Sequence, residues 1–219
     1  MSEFSSDINK LALKNFYETH KEEYFKRRDS GDKSLWDEQY KWDILPRLNK
    51  ELAKFDKITK DNVSEFILII TQNTNKSNFA NWRDTVDLMP VFSKPNGYQV
   101  LNEVWTSDID NIKESINFAN DMTKLFMWEK KFNPSTWAYI LAAKDCNKFV
   151  LYRDFVCLEV IDINSPATTK GLSQGEKYQL LNDSALYLGQ LIQEDKGNND
   201  TYSQTALNGQ DFLWVLITA

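Results

Sequence analysis

The chain has 219 residues and a net charge of −6, and 42% of its residues are hydrophobic while only 7 are glycine and 5 are proline. This composition excludes a disordered or collagen-like chain and predicts one large or two small globular domains. No apolar run approaches the roughly 18 residues of a membrane span, and the N-terminal stretch lacks the apolar core of a signal peptide. We therefore expect a cytoplasmic protein that enters no membrane.

The first predicted element is an amphipathic helix over 7–28, because apolar residues recur there at every fourth position. The sole histidine, His20, falls on its apolar stripe and is expected to be a packing residue. The stretch 34–37 has the pattern of a capping box, a serine followed three positions later by an acid. It predicts a bent helix or a helix pair over 34–57, interrupted at Pro46.

Two further helices are predicted before the middle of the chain. The stretch 62–65 has a cap signal that leads into the apolar run 66–70. Asn78 is placed to cap a helix over 79–89, and Pro90 is placed to end it.

The central part of the chain contains clear helix boundaries. A turn is predicted at 94–97, where proline, asparagine and glycine follow one another. The stretch 107–110 then caps a helix that runs to about residue 126. Asn133 and Pro134 give a strong start signal, an N-cap residue followed by proline at the first helical position.

The last third contains one ambiguous element. The stretch 149–163 is strand-like in composition but does not alternate with period two, so a helix is favoured. Ser173 and Glu176 form a capping box, while Asn208 and Asp211 are placed to cap a final segment over 212–217.

These elements together predict a mostly α-helical fold, a bundle of eight to ten helices with at most a minor β element near 149–163. We expect a single helical domain over 1–219, with a sub-boundary near 94–97 as the place where it could divide.

Chemistry for catalysis is scarce in the sequence. One histidine and two cysteines are too few for a zinc site or a histidine-centred mechanism. Cys146 and Cys157 fit no CxxC site and are expected to be buried free thiols. Walker A, GxGxxG, GxSxG and HExxH motifs are all missing from the sequence. We therefore predict no catalytic residue, no metal and no cofactor, and expect that the protein is not an enzyme.

Positive charge is concentrated towards the N-terminus. Residues 1–60 hold 13 Lys and Arg against 12 Asp and Glu, whereas residues 61–219 hold 13 against 20. An anionic partner would therefore approach the first part of the chain more easily, although mixed charges on helical surfaces also serve solubility.

Aromatic and cationic residues are interleaved in this first part, a combination that nucleic-acid surfaces use for stacking and for phosphate contact. The candidate DNA-binding residues are Lys26, Arg27, Arg28, Lys33, Trp36, Lys41, Trp42, Arg47, Trp82 and Arg83. The alternatives remain open: the tryptophans are equally typical of core packing, and cations at the end of a helix are favoured by its dipole.

Three stretches carry a resemblance. They are NFANWRDTVDLMP at 78–90, NPSTWAYILAAKDCNKFVLYRD at 133–154 and NGQDFLWVL at 208–216. They resemble the helical region that precedes the motor in McrB-like proteins, the AAA+ GTPase or ATPase subunits of modification-dependent restriction systems. The nucleotide-binding motifs of that family have no counterpart in this chain.

The resemblance implies an N-terminal DNA-recognition or specificity module of an anti-phage restriction ATPase, without catalysis of its own. Its implied partners are DNA, including modified DNA, an AAA+ motor domain C-terminal to this region, and a nuclease subunit. The alternative function is a protein–protein interaction or adaptor module of a defence complex, which predicts an exposed apolar patch near 212–217.

Overall fold

The computed structural model describes residues 8–72, 79–126, 131–164, 171–197 and 200–218, and their secondary structure is helical with no strand. The α-helices, in chain order, are α1 (Lys10–Arg28), α2 (Tyr40–Leu52), α3 (Val63–Gln72), α4 (Trp82–Phe92), α5 (Gly97–Thr106), α6 (Ile112–Phe126), α7 (Pro134–Lys144), α8 (Asp154–Asn164), α9 (Gln174–Lys196) and α10 (Thr205–Ile217). A short 3-10 turn, Ile109–Asn111, leads into α6. The predicted bundle of eight to ten helices is confirmed.

The longest helix, α9, occupies the centre of the bundle. It packs against α1, α6, α7, α8 and α10, and its contact with α10 is the most extensive in the molecule. Two glycines make that close contact feasible. A Cβ atom added at Gly209 would lie 1.8 Å from the Ala185 carbonyl oxygen, and one at Gly189 would lie 1.9 Å from the Thr205 carbonyl oxygen. The two helices approach so closely because neither glycine carries a side chain.

Buried apolar side chains from all ten helices form one core. Such burial stabilises short helices more than their intrinsic propensity does. The clearest case is α7, in which every residue from Pro134 to Ala143 is buried. Within the described residues, no helix combines the length and the apolar character that crossing a membrane requires.

Two of the predicted helix starts are confirmed by their cap geometry. The Asn133 side chain accepts a hydrogen bond from the Ser135 amide at 2.9 Å, and Pro134 is the first residue of α7. Ser173 and Glu176 form the reciprocal capping box of α9. The Glu176 carboxylate accepts from the Ser173 amide at 2.7 Å, which lowers the pKa of Glu176.

The predicted helix start at Ser34 is wrong. The Asp32 carboxylate accepts hydrogen bonds from the Ser34 amide at 2.8 Å and from its hydroxyl at 2.7 Å. These bonds hold Ser34 in a turn, a competing use of short polar side chains. Instead of a bent helix or helix pair over 34–57, one helix, α2, begins at Tyr40 and contains Pro46.

The α4 boundaries also differ from those predicted. Asn78 lies outside the described residues, and Asn81 caps α4 instead, by accepting from the Arg83 amide. Pro90 lies inside the helix. Pro90 has no amide to donate to the Val86 carbonyl, and Val86 is 66% exposed, so this hydrogen bond is lost at a surface position of the helix.

Two predictions for the last third of the chain have different outcomes. Residues 149–153 are irregular and α8 follows at Asp154, so the favoured helix is confirmed over most of 149–163. Asn208 and Asp211 are not caps, because α10 already begins at Thr205. Both side chains are instead completely buried in the middle of α10.

Replacing Gly209 with alanine should test the contact between α9 and α10. The added methyl group would collide with the backbone of α9, so we expect a loss of at least about 3 kcal/mol in the free energy of unfolding, measured by urea denaturation. The control is Gly31→Ala, which meets no atom within 4 Å and should lose about 1 kcal/mol from its positive φ of 71°. Equal stability of the two variants would contradict this packing.

Candidate functional site

The segment between α1 and α2, residues 29–39, is shaped by its own polar side chains. The Ser30 hydroxyl donates to the Arg27 carbonyl at 2.7 Å and accepts from the Asp32 amide at 3.0 Å. Gly31 supplies the left-handed conformation that the turn needs, with φ of 71°. This segment therefore folds back across α10 instead of continuing α1.

The Asp211 carboxylate is the centre of a buried polar cluster. It projects from the middle of α10 and is completely buried. Its Oδ2 atom accepts hydrogen bonds from the Tyr24 hydroxyl of α1 at 3.0 Å and from the Trp36 indole N–H at 2.9 Å. A buried carboxyl group is costly without such partners, so these bonds fix α1 and segment 29–39 against α10.

Lys41, in the first turn of α2, brings a third element to the cluster. Its ammonium forms an ion pair with Glu38 and lies 3.7 Å from the Asp211 Oδ1 atom. It also lies 5.3 Å from the centre of the Trp214 ring, within the range of a cation–π contact. One buried ammonium group thus contacts two carboxyl groups and an aromatic face. We call Glu38, Lys41 and Asp211 the buried triad.

Arg28 is a second buried cation, at the end of α1. Its guanidinium donates to Asp29 at 2.9 Å and to Asp200 at 3.1 Å, and it lies 5.3 Å from the centre of the Tyr202 ring. Burial acts to lower the pKa of Arg28, but Tyr24 and the two acids outweigh it and raise that pKa. Arg28 therefore stays charged, and its guanidinium is already bound to acids of the protein itself.

Hydrogen bonding is incomplete around the triad. In the described part of the chain, six residues carry a buried side-chain nitrogen or oxygen atom without a well-formed hydrogen bond. They are Glu38, Lys41, Trp42, Asn208, Gln210 and Asp211. All six lie in the stretches 38–42 and 208–211. Burial raises the pKa of Asp211 above its ordinary value of 3.8, while the Lys41 ammonium and the Trp36 N–H act to lower it.

A cleft of about 530 Å³ opens beside this cluster, a volume within the usual range for ligand pockets. It is lined by Arg27, Lys33, Ser34, Leu35, Trp36, Asp37, Glu38, Trp214, Val215 and Thr218. We call it the 34–38 cleft. The lining therefore includes two tryptophans, two basic residues and two acidic residues, Asp37 and Glu38.

Six of the ten predicted DNA-binding residues belong to this region, but in two different roles. Arg27, Lys33 and Trp36 line the 34–38 cleft, and Lys26 is exposed in the last turn of α1. The Arg27 Nε atom also donates to Glu23 at 2.7 Å. The other two cations of this region, Arg28 and Lys41, are buried with acids as described above.

The remaining predicted residues do not line the cleft. Trp42 is half-buried and packs 4.9 Å from the Tyr202 ring and 5.7 Å from the Trp36 ring. Arg47 is exposed on α2. Trp82 is 64% exposed at the start of α4, and the Arg83 guanidinium lies 5.5 Å from the centre of its ring.

The sequence interpretation missed the residues that organise the site. Glu38 and Asp211 have no binding role in that interpretation, Asp211 is assigned to a helix cap, and Trp214 enters only as part of the apolar patch near 212–217. A signal was present: Asp211 directly precedes the apolar run from Phe212 to Ile217 in the same helical stretch, and an acid in such a place needs buried partners. The donors, Trp36 and Tyr24, lie 175 and 187 residues from Asp211 in the sequence, so only the tertiary structure identifies them.

Other reactive groups do not gather at the cleft. Burial raises the pKa of Cys146 to about 12 and that of Cys157 to about 11, so both thiols stay protonated near neutral pH. Among the described residues, no group of three or more His, Cys, Asp or Glu side chains is arranged to hold a metal ion.

Comparisons of the chain with protein-family models, with curated proteins and with solved structures found no match.

Replacing Trp36 with phenylalanine should test the link between segment 29–39 and α10. The variant keeps an aromatic ring but removes the N–H that Asp211 accepts, so the free energy of unfolding should fall by about 2 kcal/mol. Trp82→Phe is the matched control, and since Trp82 is exposed its stability should stay within about 0.5 kcal/mol of wild type. Urea denaturation measures both, and equal losses would contradict the role given to the indole N–H.

Proposed function

We propose that this protein is a DNA-recognition module in which the 34–38 cleft receives a base and the neighbouring cations contact phosphates. The supporting observation is the composition of the cleft, in which Trp36 and Trp214 lie beside Arg27 and Lys33. Proteins that bind unstacked bases use aromatic faces for the base and cations for the backbone. A cleft of about 530 Å³ is large enough for a nucleobase.

The cations fall into two groups under this proposal. Lys26, Arg27 and Lys33 are placed near the cleft with solvent access and would contact phosphates. Arg28 and Lys41 are buried against acids, so they would support the site without touching DNA. This division matters for mutagenesis, because loss of Arg28 or Lys41 would weaken binding through misfolding.

The resemblance to McrB-like proteins extends the proposal. Of the three stretches that carry it, 208–216 supplies Asp211 beneath the cleft and Trp214 in its wall. The module would then select DNA, including modified DNA, for an AAA+ motor domain and a nuclease subunit that perform the chemistry. It would perform no bond-breaking step itself.

Removing two exposed cations should separate phosphate contact from folding. For Lys26→Ala with Lys33→Ala, we expect weaker DNA binding for all sequences, with the slope of log K against log salt reduced by about 2. The control, Lys57→Ala with Lys60→Ala, removes two exposed lysines from the segment after α2 and should leave the slope unchanged. Fluorescence anisotropy with a labelled duplex at several salt concentrations measures this, and identical slopes would contradict the assignment.

An adaptor function is the second candidate, favoured by a different surface. The apolar patch expected at 212–217 is not exposed: Phe212, Leu213 and Val215 are buried, and the other three residues are half-buried. Among the exposed apolar side chains of several helices, Trp82 and Val86 of α4 are one turn apart and are 64% and 66% exposed. This candidate would be preferred if DNA affinity were absent at about 0.15 M salt and Trp82→Asp disrupted a protein complex.

A further inference from the structure

The buried triad contains two acids and one base in direct contact. Beside the triad, two cations are balanced by two acids. Arg28 pairs with Asp29 and Asp200, and Lys196 pairs with Asp29, at distances of 2.6 to 3.1 Å. Lys41, in contrast, is shared by Glu38 and Asp211. If both acids were ionised, the triad would carry a net negative charge in a buried place, which is energetically costly.

We propose that the buried triad binds one proton, and that gain or loss of this proton changes the charge at the floor of the 34–38 cleft. The place for the proton is the Asp211 Oδ1 atom, which is buried and lacks a well-formed hydrogen bond. The other oxygen, Oδ2, keeps its bonds from Tyr24 and Trp36 in either state. Protonation therefore neutralises Asp211 without breaking its anchoring contacts.

Lys41 transmits the change to the cleft. With Asp211 neutral, the ammonium pairs with Glu38, and the carboxylate that lines the cleft is neutralised. When Asp211 loses its proton, Oδ1 becomes an anionic competitor only 3.7 Å from the Lys41 ammonium. Glu38 then shares its counter-ion, and negative charge appears at the cleft floor. Anionic ligands are thus favoured at low pH, and ligands that donate hydrogen bonds are favoured at high pH.

The groups that face the triad from the neighbouring elements do not titrate in its place. They are Tyr24 of α1, Tyr40 of α2, Tyr202 before α10 and Arg153 before α8. Three further charged residues, Arg27, Lys33 and Asp37, line the same cleft as Glu38. Burial raises the pKa of all three tyrosines, so they stay neutral. Burial lowers the pKa of Arg153, partly offset by Tyr40 and Glu38, yet a guanidinium is so strong a base that Arg153 stays charged. The proton therefore belongs to the triad, where the Asp211 Oδ1 atom holds it.

The test follows Trp36 and Trp214, the two indoles in contact with the triad, by ¹⁹F NMR of the full chain labelled with 5-fluorotryptophan. Trp36→Phe and Trp214→Phe assign the two resonances. Between about pH 4 and about pH 9, both should shift with one shared midpoint above 3.8, the ordinary value for aspartate. Asp211→Asn should abolish this transition. The control Asp183→Asn removes another acid whose pKa is raised by burial, one that contacts Gln179, and should retain it.

A second variant keeps the test decisive if Asp211→Asn does not fold. Glu38→Gln leaves Lys41 to Asp211 alone, which stabilises the ionised Asp211, so the shared midpoint should move to lower pH. Three results would overturn the proposal. Both resonances could stay constant over the whole pH range, the transition could survive in Asp211→Asn, or the midpoint could fail to move to lower pH in Glu38→Gln. No DNA is present in this experiment, so its result is independent of the proposed function.

Discussion

A carboxyl group that is completely buried in the middle of a helix constrains everything around it. Asp211 must find donors inside the protein, and it finds them on α1, on segment 29–39 and on α2. Three elements that are distant in sequence are thereby held on one turn of α10. The wall of the 34–38 cleft is part of this arrangement, since Trp36 is at once a partner of Asp211 and a lining residue. Fold and site therefore depend on the same contacts.

The close approach of α9 and α10 supports this arrangement from the other side. Gly189 and Gly209 let the two backbones meet, which places Asp211, two residues after Gly209, on the opposite side of α10. A side chain at Gly209 would push α10 away from the centre of the bundle. The glycines on one side of α10 and the buried Asp211 on the other thus fix how closely this helix approaches the centre of the bundle and how it is rotated about its own axis.

The sequence was informative where structure is decided locally. Asn133 with Pro134, and Ser173 with Glu176, satisfy helix ends within three residues, so their patterns predicted the starts of α7 and α9. At Ser34 a local pattern failed because Asp32, two residues earlier, competes for the same groups. At Asp211 it failed because the partners lie on other helices, and no local rule distinguishes a cap from a buried acid.

The same limit applies to the candidate site. The sequence alone does not distinguish five basic residues, which are Lys26, Arg27, Arg28, Lys33 and Lys41. In the folded bundle, two of them are buried and three lie near the surface. The difference comes from the acids brought beside Arg28 and Lys41 by tertiary packing. Counting basic residues therefore drew attention to residues 26–41, while the cleft and the acids that line it required the structure.

The claim that Asp211 fastens segment 29–39 to the bundle is tested most directly by amide hydrogen exchange in wild type and in Asp211→Leu. The leucine side chain accepts no hydrogen bond from Tyr24 or Trp36 and offers Lys41 no opposite charge, so protection should be lost mainly in segment 29–39 and the first turn of α2. The central parts of α6 and α9 should keep their protection. Unchanged exchange in segment 29–39, or an equal loss of protection over all helices, would contradict the account.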